Sequence, residues 1–310
     1  MIRALILLLL PVWALADISE SPQQILESVA QAARQQNYQG TIVMASSSHW
    51  QTMEVKHAMI NGEEYERLKQ LTGASQESIK RGAEHVCSHA EHLPLHRPLK
   101  NPLRIPTPKL DQNFAYDFTY GDLQRMAGRM VQPLNVKPYD NKRYGLTLWI
   151  DKKSKLLLGV DLLDSKQNVL ERTHYVDISL AAELTPQDFI PNMPAHGVQR
   201  SITEPEKSIA QVGWKPYWLP VGFELTHALE EDGSVRLMYF DGITAFSVFI
   251  DRSDNAPALE QQWGATAAVV IPVAHNESIH RVTAVGEVPL STLREIVASV
   301  KPNLVANTQE

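Results

Sequence analysis

Gly213-Trp214-Lys215-Pro216-Tyr217-Trp218-Leu219-Pro220-Val221-Gly222-Phe223-Glu224-Leu225 is answered downstream by Tyr239-Phe240-Asp241-Gly242-Ile243-Thr244-Ala245-Phe246-Ser247-Val248-Phe249-Ile250. In the first segment two prolines remove backbone donors and hold the chain extended. Its aromatics offer large apolar faces with polar handles on Trp and Tyr. Such a surface packs or grips; it carries no proton-transfer machinery. The second segment alternates as a half-buried strand does, with Tyr239 opposite Phe240, and with Phe246, Val248 and Ile250 sharing a face. A loop over 251–260 then leads to strands at 265–273 and 278–286. A helix follows Pro289, with Ser291 as its cap and Leu293, Ile296, Val297 and Val300 on one side. Strands plus a closing helix predict a small α+β domain over 213–303, followed by a tail over 304–310.

Upstream, Ser21-Pro22-Gln23-Gln24 supplies an N-cap serine, a proline at the first helical position and a glutamine three residues after the cap. Ile25, Leu26, Val29 and Ala33 then fall on one face, and Asn37 is the stop. Strands are expected at 40–45 and 50–60, where Met53, Val55, His57 and Met59 alternate with Thr52, Glu54, Lys56 and Ala58. Asn61-Gly62 is a hairpin turn returning through Tyr65, Arg67 and Leu68, and Arg81-Gly82 turns another pair. Consecutive hairpins build an antiparallel sheet, one face of which the first helix can cover. Pro94, Pro98, Pro102, Pro106 and Pro108 exclude a central strand over 92–108, which reads as a loop over the surface or the mouth of the sheet. Strands resume at 127–138, 144–151, 156–163 and 169–178, and Thr185-Pro186-Gln187-Asp188 caps a helical turn. The polar, charged run over 201–210 marks a linker, placed at 201–212, that closes a first domain over 17–200.

The chain begins with a short basic start at Met1-Ile2-Arg3, an apolar run over 4–12 and a small-residue site at Ala14-Leu15-Ala16. This pattern predicts a signal peptide over 1–16, cleaved to leave Asp17 first and an exported, periplasmic protein. The apolar run is shorter than the ~20 residues of a spanning helix and is interrupted by Pro11. No cysteine follows the site to carry a lipid. A formal net charge of -6 at pH 7 over 310 residues argues against nucleic acid as a partner, because phosphate binding needs a clustered basic footprint. The 44% hydrophobic content suits a globular chain of about two domains. The single cysteine, Cys87, has no intramolecular disulfide partner, so core packing must hold the fold.

No G-x-S-x-G elbow, H-E-x-x-H helix, Walker loop or Rossmann glycine fingerprint occurs. The chemical outlier is the run over 85–96, where His85, Cys87, His89 and His92 could approach one transition metal. As a strand, positions 85, 87 and 89 would share a face. The alternative is a polar loop of titratable side chains, and no cofactor is expected. A hydrolase with a dispersed carboxylate pair, such as Asp151 and Glu171, is the remaining enzymatic option, and nothing in the spacing favours it.

Three blocks carry a family resemblance. They are the opening pair of segments, the run Pro138-Tyr139-Asp140-Asn141-Lys142-Arg143-Tyr144-Gly145-Leu146-Thr147-Leu148-Trp149-Ile150-Asp151, and Val282-Thr283-Ala284-Val285-Gly286-Glu287-Val288-Pro289-Leu290-Ser291-Thr292-Leu293-Arg294. Together they resemble the RseB/MucB family of envelope-stress regulators. The resemblance implies an N-terminal domain similar to the LolA/LolB lipoprotein carriers, an open antiparallel β-barrel with helices, and a smaller C-terminal α+β domain. It also implies a non-enzymatic periplasmic regulator that binds the periplasmic domain of a membrane anti-sigma factor, RseA or MucA. Such a regulator shields its partner from the site-1 protease and is released by lipid or lipopolysaccharide fragments. A lipid or lipoprotein carrier is the alternative, although simple carriers lack the second domain. A homodimer is left open.

Within this frame Trp214, Tyr217, Trp218, Phe223, Tyr239 and Phe246 are candidate partner contacts, since they concentrate interface-type aromatics. Each also suits the core of a small domain. Val43, Val55, Leu148 and Ile150 are candidates for the lipid pocket, with ordinary core the competing reading. Arg129 and Arg143 would meet acidic head groups or pair with carboxylates at the sheet edge.

Overall fold

Ser21 opens the first helix, α1 (Pro22–Gln35), through a reciprocal capping box with Gln24. The apolar stripe of this helix buries Ile25, Leu26, Val29, Ala32 and Ala33, so its energy comes from tertiary packing rather than from propensity. The structure, a computed structural model, describes residues 20–47, 49–82, 84–89, 101–105, 114–192, 198–200, 212–253, 255 and 257–303. The expected signal peptide, nearly all of the expected linker, the tail and His92 lie outside the described residues.

Among the described residues twelve strands follow α1: β1 (Tyr38–Ser46), β2 (Trp50–Ile60), β3 (Glu63–Gln70), β4 (Gln76–Arg81), β5 (Glu84–His89), β6 (Tyr116–Tyr120), β7 (Gln124–Met126), β8 (Arg129–Pro138), β9 (Gly145–Asp151), β10 (Leu157–Leu163), β11 (Val169–Leu180) and β12 (Val198–Arg200). They form one antiparallel sheet in the order β12-β5-β4-β3-β2-β1-β11-β10-β9-β8-β6, with β7 added onto β8. Asn61 and Gly62 both take positive φ, 53° and 82°, as a tight turn between β2 and β3 demands. Pairing of β1 with β11, from Tyr38 opposite Leu180 to Ser46 opposite Glu171, joins the two runs of hairpins into one sheet. One face of that sheet holds Ile42, Met53, Val55, Leu134, Leu148 and Ile150 against α1. β6 and β7 were not expected from the sequence.

The second domain comprises β13 (Trp214–Pro216), β14 (Glu224–Glu231), β15 (Ser234–Phe240), β16 (Ala245–Arg252), β17 (Leu259–Trp263), β18 (Thr266–His275), β19 (Ser278–Gly286), α2 (Leu290–Ser299) and β20 (Val300–Pro302). Six strands pair in the order β14-β15-β16-β19-β18-β17, and β13 pairs with β20 as a separate ribbon. Leu293, Ile296 and Val297 of α2 complete a core with Leu237, Phe246, Val248, Ile250, Val282 and Ala284. Val212, read as the end of the linker, is fully buried in this core.

Two expectations are corrected here. The stretch 239–250 is two strands, because Asp241 and Gly242 turn the chain, with Gly242 at φ 96°. That reversal places Tyr239 directly opposite Phe246, their rings stacked at 5.2 Å. The cap of α2 is Pro289 rather than Ser291: the Pro289 carbonyl already accepts from the Thr292 and Leu293 amides, at 2.9 and 3.3 Å. The helix therefore begins before the serine can act as a cap.

Candidate functional site

The cross-strand register of the large sheet builds a hollow. Leu146 on β9 faces Leu162 on β10, which faces Glu171 on β11; the next row runs Leu148, Val160, Thr173 and Met44. All of these side chains line one cavity of about 320 Å³, at the lower end of the range for small-molecule sites. A short strap over 101–105 adds Pro102 and Ile105 to its wall. The strap is fixed by Leu103, buried in the first core, by Asn101 Nδ2 donating to Glu66 Oε2 at 3.2 Å, and by an ion pair of Arg104 with Glu64.

The far wall belongs to the second domain. Gly242, Ile243 and Glu287 close the hollow, and Ile243 packs against the core cluster of the first domain. Glu287 stays solvent-exposed at the mouth, where desolvation by the surrounding protein and the charge of Glu171 raise its carboxyl above the usual range. Glu171 itself accepts from the Ala265 amide at 2.9 Å, across the seam between the domains.

Beside the hollow the domains are joined by Arg143, whose side chain is wholly buried. Its Nη1 donates to Asp241 Oδ2 at 2.6 Å, its Nη2 to the Val221 carbonyl at 2.6 Å, and Nε and Nη2 both reach Asp140 at 3.2 Å. The guanidinium lies over Tyr116 and Phe223, with 5.4 and 4.9 Å to the ring centroids. Tyr116 Oη donates to the same Asp241 oxygen at 2.8 Å, and burial, followed by the Asp241 charge, pushes that phenol well up. The other Asp241 oxygen accepts from the Ile243 and Thr244 amides, at 2.9 and 2.8 Å. One carboxylate thus shapes its own turn and receives the arginine of the other domain. Thr292 Oγ1 donating to the Lys142 carbonyl at 2.8 Å, and an ion pair of Lys142 with Glu295, extend the seam.

The candidate residues fall in different places. Leu148 lines the hollow; Val55 and Ile150 lie in the core of the same domain, and Val43 is on the opposite face of β1 from Ile42. Arg129 is away from the hollow, bonded through Nε to Asp151 Oδ2 at 2.7 Å. Arg143 belongs to the seam. Among the aromatics, Trp214, Phe223, Tyr239 and Phe246 are buried in the core of the second domain. Tyr217 is 52% exposed, and Trp218 is partly buried with the Lys142 ammonium 5.3 Å above its ring. Positions 85, 87 and 89 do lie on a strand, β5, but the side chains of His85, Cys87 and His89 are outside the described residues, as is His92. Asp151 and Glu171 do not converge. Burial raises the Asp151 carboxyl, but Arg129 and Ser154 outweigh it and hold it low, while Glu171 faces the hollow.

Asp241, Tyr116 and Ile243 escaped the sequence reading. The Asp-Gly pair at 241–242 is a turn signal that would have split the supposed strand. Nothing local announces that its carboxylate meets an arginine 98 residues away.

The MucB/RseB N-terminal domain model matches residues 21–193 and the MucB/RseB C-terminal domain model matches 208–301. The sigma factor AlgU regulatory protein MucB of Pseudomonas aeruginosa is 31% identical, the alignment covering 97% of this chain and 96% of the relative. The solved Pseudomonas aeruginosa MucA/MucB complex superposes with a TM-score of 0.75 at 29% identity, covering 90% of this chain and 98% of that one. A crystal structure of MucB superposes with a TM-score of 0.62 at 30% identity, covering 90% and 96%. With a model matched over each domain and a relative aligned nearly end to end, the chain belongs to the MucB/RseB family.

Proposed function

We propose that this protein is a periplasmic regulator that binds the periplasmic domain of a MucA/RseA-type anti-sigma factor and shields it from site-1 proteolysis. It lets go when an envelope lipid or lipopolysaccharide fragment enters its hollow. Like its regulatory relatives it is not an enzyme. The observation that carries the reading is the superposition on a MucA/MucB complex over 90% of the chain, both domains included. The hollow supports the lipid half of the proposal: its wall is mostly apolar, with Glu171, Thr173 and Glu287 as the polar members, and each acyl methylene withdrawn from water contributes about 0.8 kcal/mol. A lipid can change partner binding only by its differential affinity for the holding and releasing states. For the partner contact Tyr217 remains a candidate, being exposed beside the β13–β20 ribbon, with its hydroxyl 3.2 Å from the Pro302 carbonyl.

The test is proteolysis of the purified periplasmic segment of the cognate anti-sigma factor by the site-1 protease. The exported form of this chain should slow the cut, and lipopolysaccharide should restore it. An unchanged cleavage rate with the chain in excess sinks the proposal. A carrier would instead retain lipoprotein from membranes and ignore the anti-sigma fragment.

A further inference from the structure

We infer that the turn Asp241–Thr244 couples the hollow to the orientation of the two domains, so that an acyl chain entering the hollow breaks the Arg143–Asp241 latch. Ile243 closes the hollow and packs on the core of the first domain, whereas Asp241, two residues earlier, is the sole second-domain side chain bonded to Arg143 among the described residues. The two residues cannot move independently. Asp241 Oδ1 holds the Ile243 and Thr244 amides, and the Asp241 amide donates to the Thr244 carbonyl at 3.2 Å, which makes the turn one small rigid body. Thr244 Oγ1 also donates to the Glu287 carbonyl at 3.0 Å, tying the turn to the mouth of the hollow. Ile243 forms part of the wall of a cavity of about 320 Å³, at the lower end for a ligand site, so an acyl chain longer than the hollow can be seated only by displacing this wall. Displacing it by an ångström or two takes Asp241 out of reach of a guanidinium bond 2.6 Å long, and a buried ion pair has no intermediate setting. The ligand thereby acquires the differential affinity that release requires.

This inference rests on the reading of the hollow as a lipid site, and the experiment separates the two. Spin labels at Lys166→Cys and Glu231→Cys, both exposed and one in each domain, are placed on a Cys87→Ser background and the interdomain distance distribution is measured. The probe is dansyl-undecanoate, whose fluorescence reports entry into an apolar site. Saturating probe should raise a second distance population about tenfold over the unliganded chain. Ile243→Trp and Leu162→Trp, which fill the hollow from either domain, should raise the same population without probe, and Asp241→Asn should do so by weakening the latch directly. If the probe brightens but every distribution stays that of the wild type, the coupling is wrong and the lipid site stands. If the probe does not bind while both tryptophan variants shift the distances, the coupling stands and the lipid reading falls.

Discussion

Replacing Arg143 by Met keeps the unbranched stem out to about the position of Nε and removes the guanidinium with its charge and all of its donors. The largest consequence is a stranded Asp241, whose carboxylate is fully buried and loses its only cationic partner among the described residues. Removing one member of a buried pair costs about 3–5 kcal/mol. Asp241 still accepts from Tyr116 Oη and from the Ile243 and Thr244 amides, so its charge is not bare. That places the cost near the lower end, at about 3 kcal/mol. The Val221 carbonyl and Asp140 lose bonds as well, but Asp140 reaches water and adds little. Urea unfolding followed by circular dichroism and tryptophan fluorescence is the assay. Loss of the seam should also separate one transition into two, one for each domain. The companion variants Asp241→Asn and Arg143→Met/Asp241→Asn complete a double-mutant cycle, with an expected coupling of about 2 kcal/mol. A single substitution within about 0.5 kcal/mol of the wild type, or a cycle additive to that margin, would refute the buried latch.

Three further outcomes are expected. Gly264 has φ 59°, and a methyl group there would collide with Glu171 Oε1, so Gly264→Ala should cost about 1–3 kcal/mol; unchanged unfolding would show that this loop does not abut β11. The His280 ring lies 4.7 Å from that of Trp214, tilted at 45°, and desolvation first, then His275 and Arg252, lower its pKa from 6.5. A histidine kept neutral in the fold contributes stability that is whole above the unfolded pKa and is lost as pH falls below it. Unfolding free energy should therefore decline between pH 7 and pH 5 with a slope of at most about 1.4 kcal/mol per unit from this group. His280→Phe should flatten that decline, and an equal slope in the variant would contradict the assignment. Tyr217→Ala should weaken binding of the anti-sigma periplasmic fragment about tenfold in calorimetric titration, with the melting temperature little changed; wild-type affinity would remove Tyr217 from the contact.

What the sequence disclosed and what it withheld divide along the range of the forces involved. The capping box at Ser21-Pro22-Gln23-Gln24 and the Asn61-Gly62 hairpin are local hydrogen-bond and φ requirements, and both stand where the residues announce them. Alternation located β2, where Met53, Val55 and His57 are buried and Glu54 and Lys56 between them are not. It failed across Asp241-Gly242, where apolar residues on both sides of a turn keep the period of a strand and hide the reversal. The aromatics were legible as large apolar faces, but which of them face solvent is a tertiary fact. Tyr239 and Phe246 are buried because that same reversal folds them onto one side of the sheet, while Tyr217 stays exposed just beyond the two-stranded ribbon. Arg143 was the least legible residue. Its charge suggested head groups or a sheet edge, and only the packing of two domains could bring a tyrosine, a phenylalanine and an aspartate around it. A guanidinium with no exposed side-chain surface can be tolerated there only because each face and edge is met, by rings at 5.4 and 4.9 Å and by oxygens from both domains. Such a constellation is sensitive to small displacements of any one member. It can hold one domain orientation tightly and yet give way when the turn carrying Asp241 is pushed, and that combination is what a reversible regulator requires.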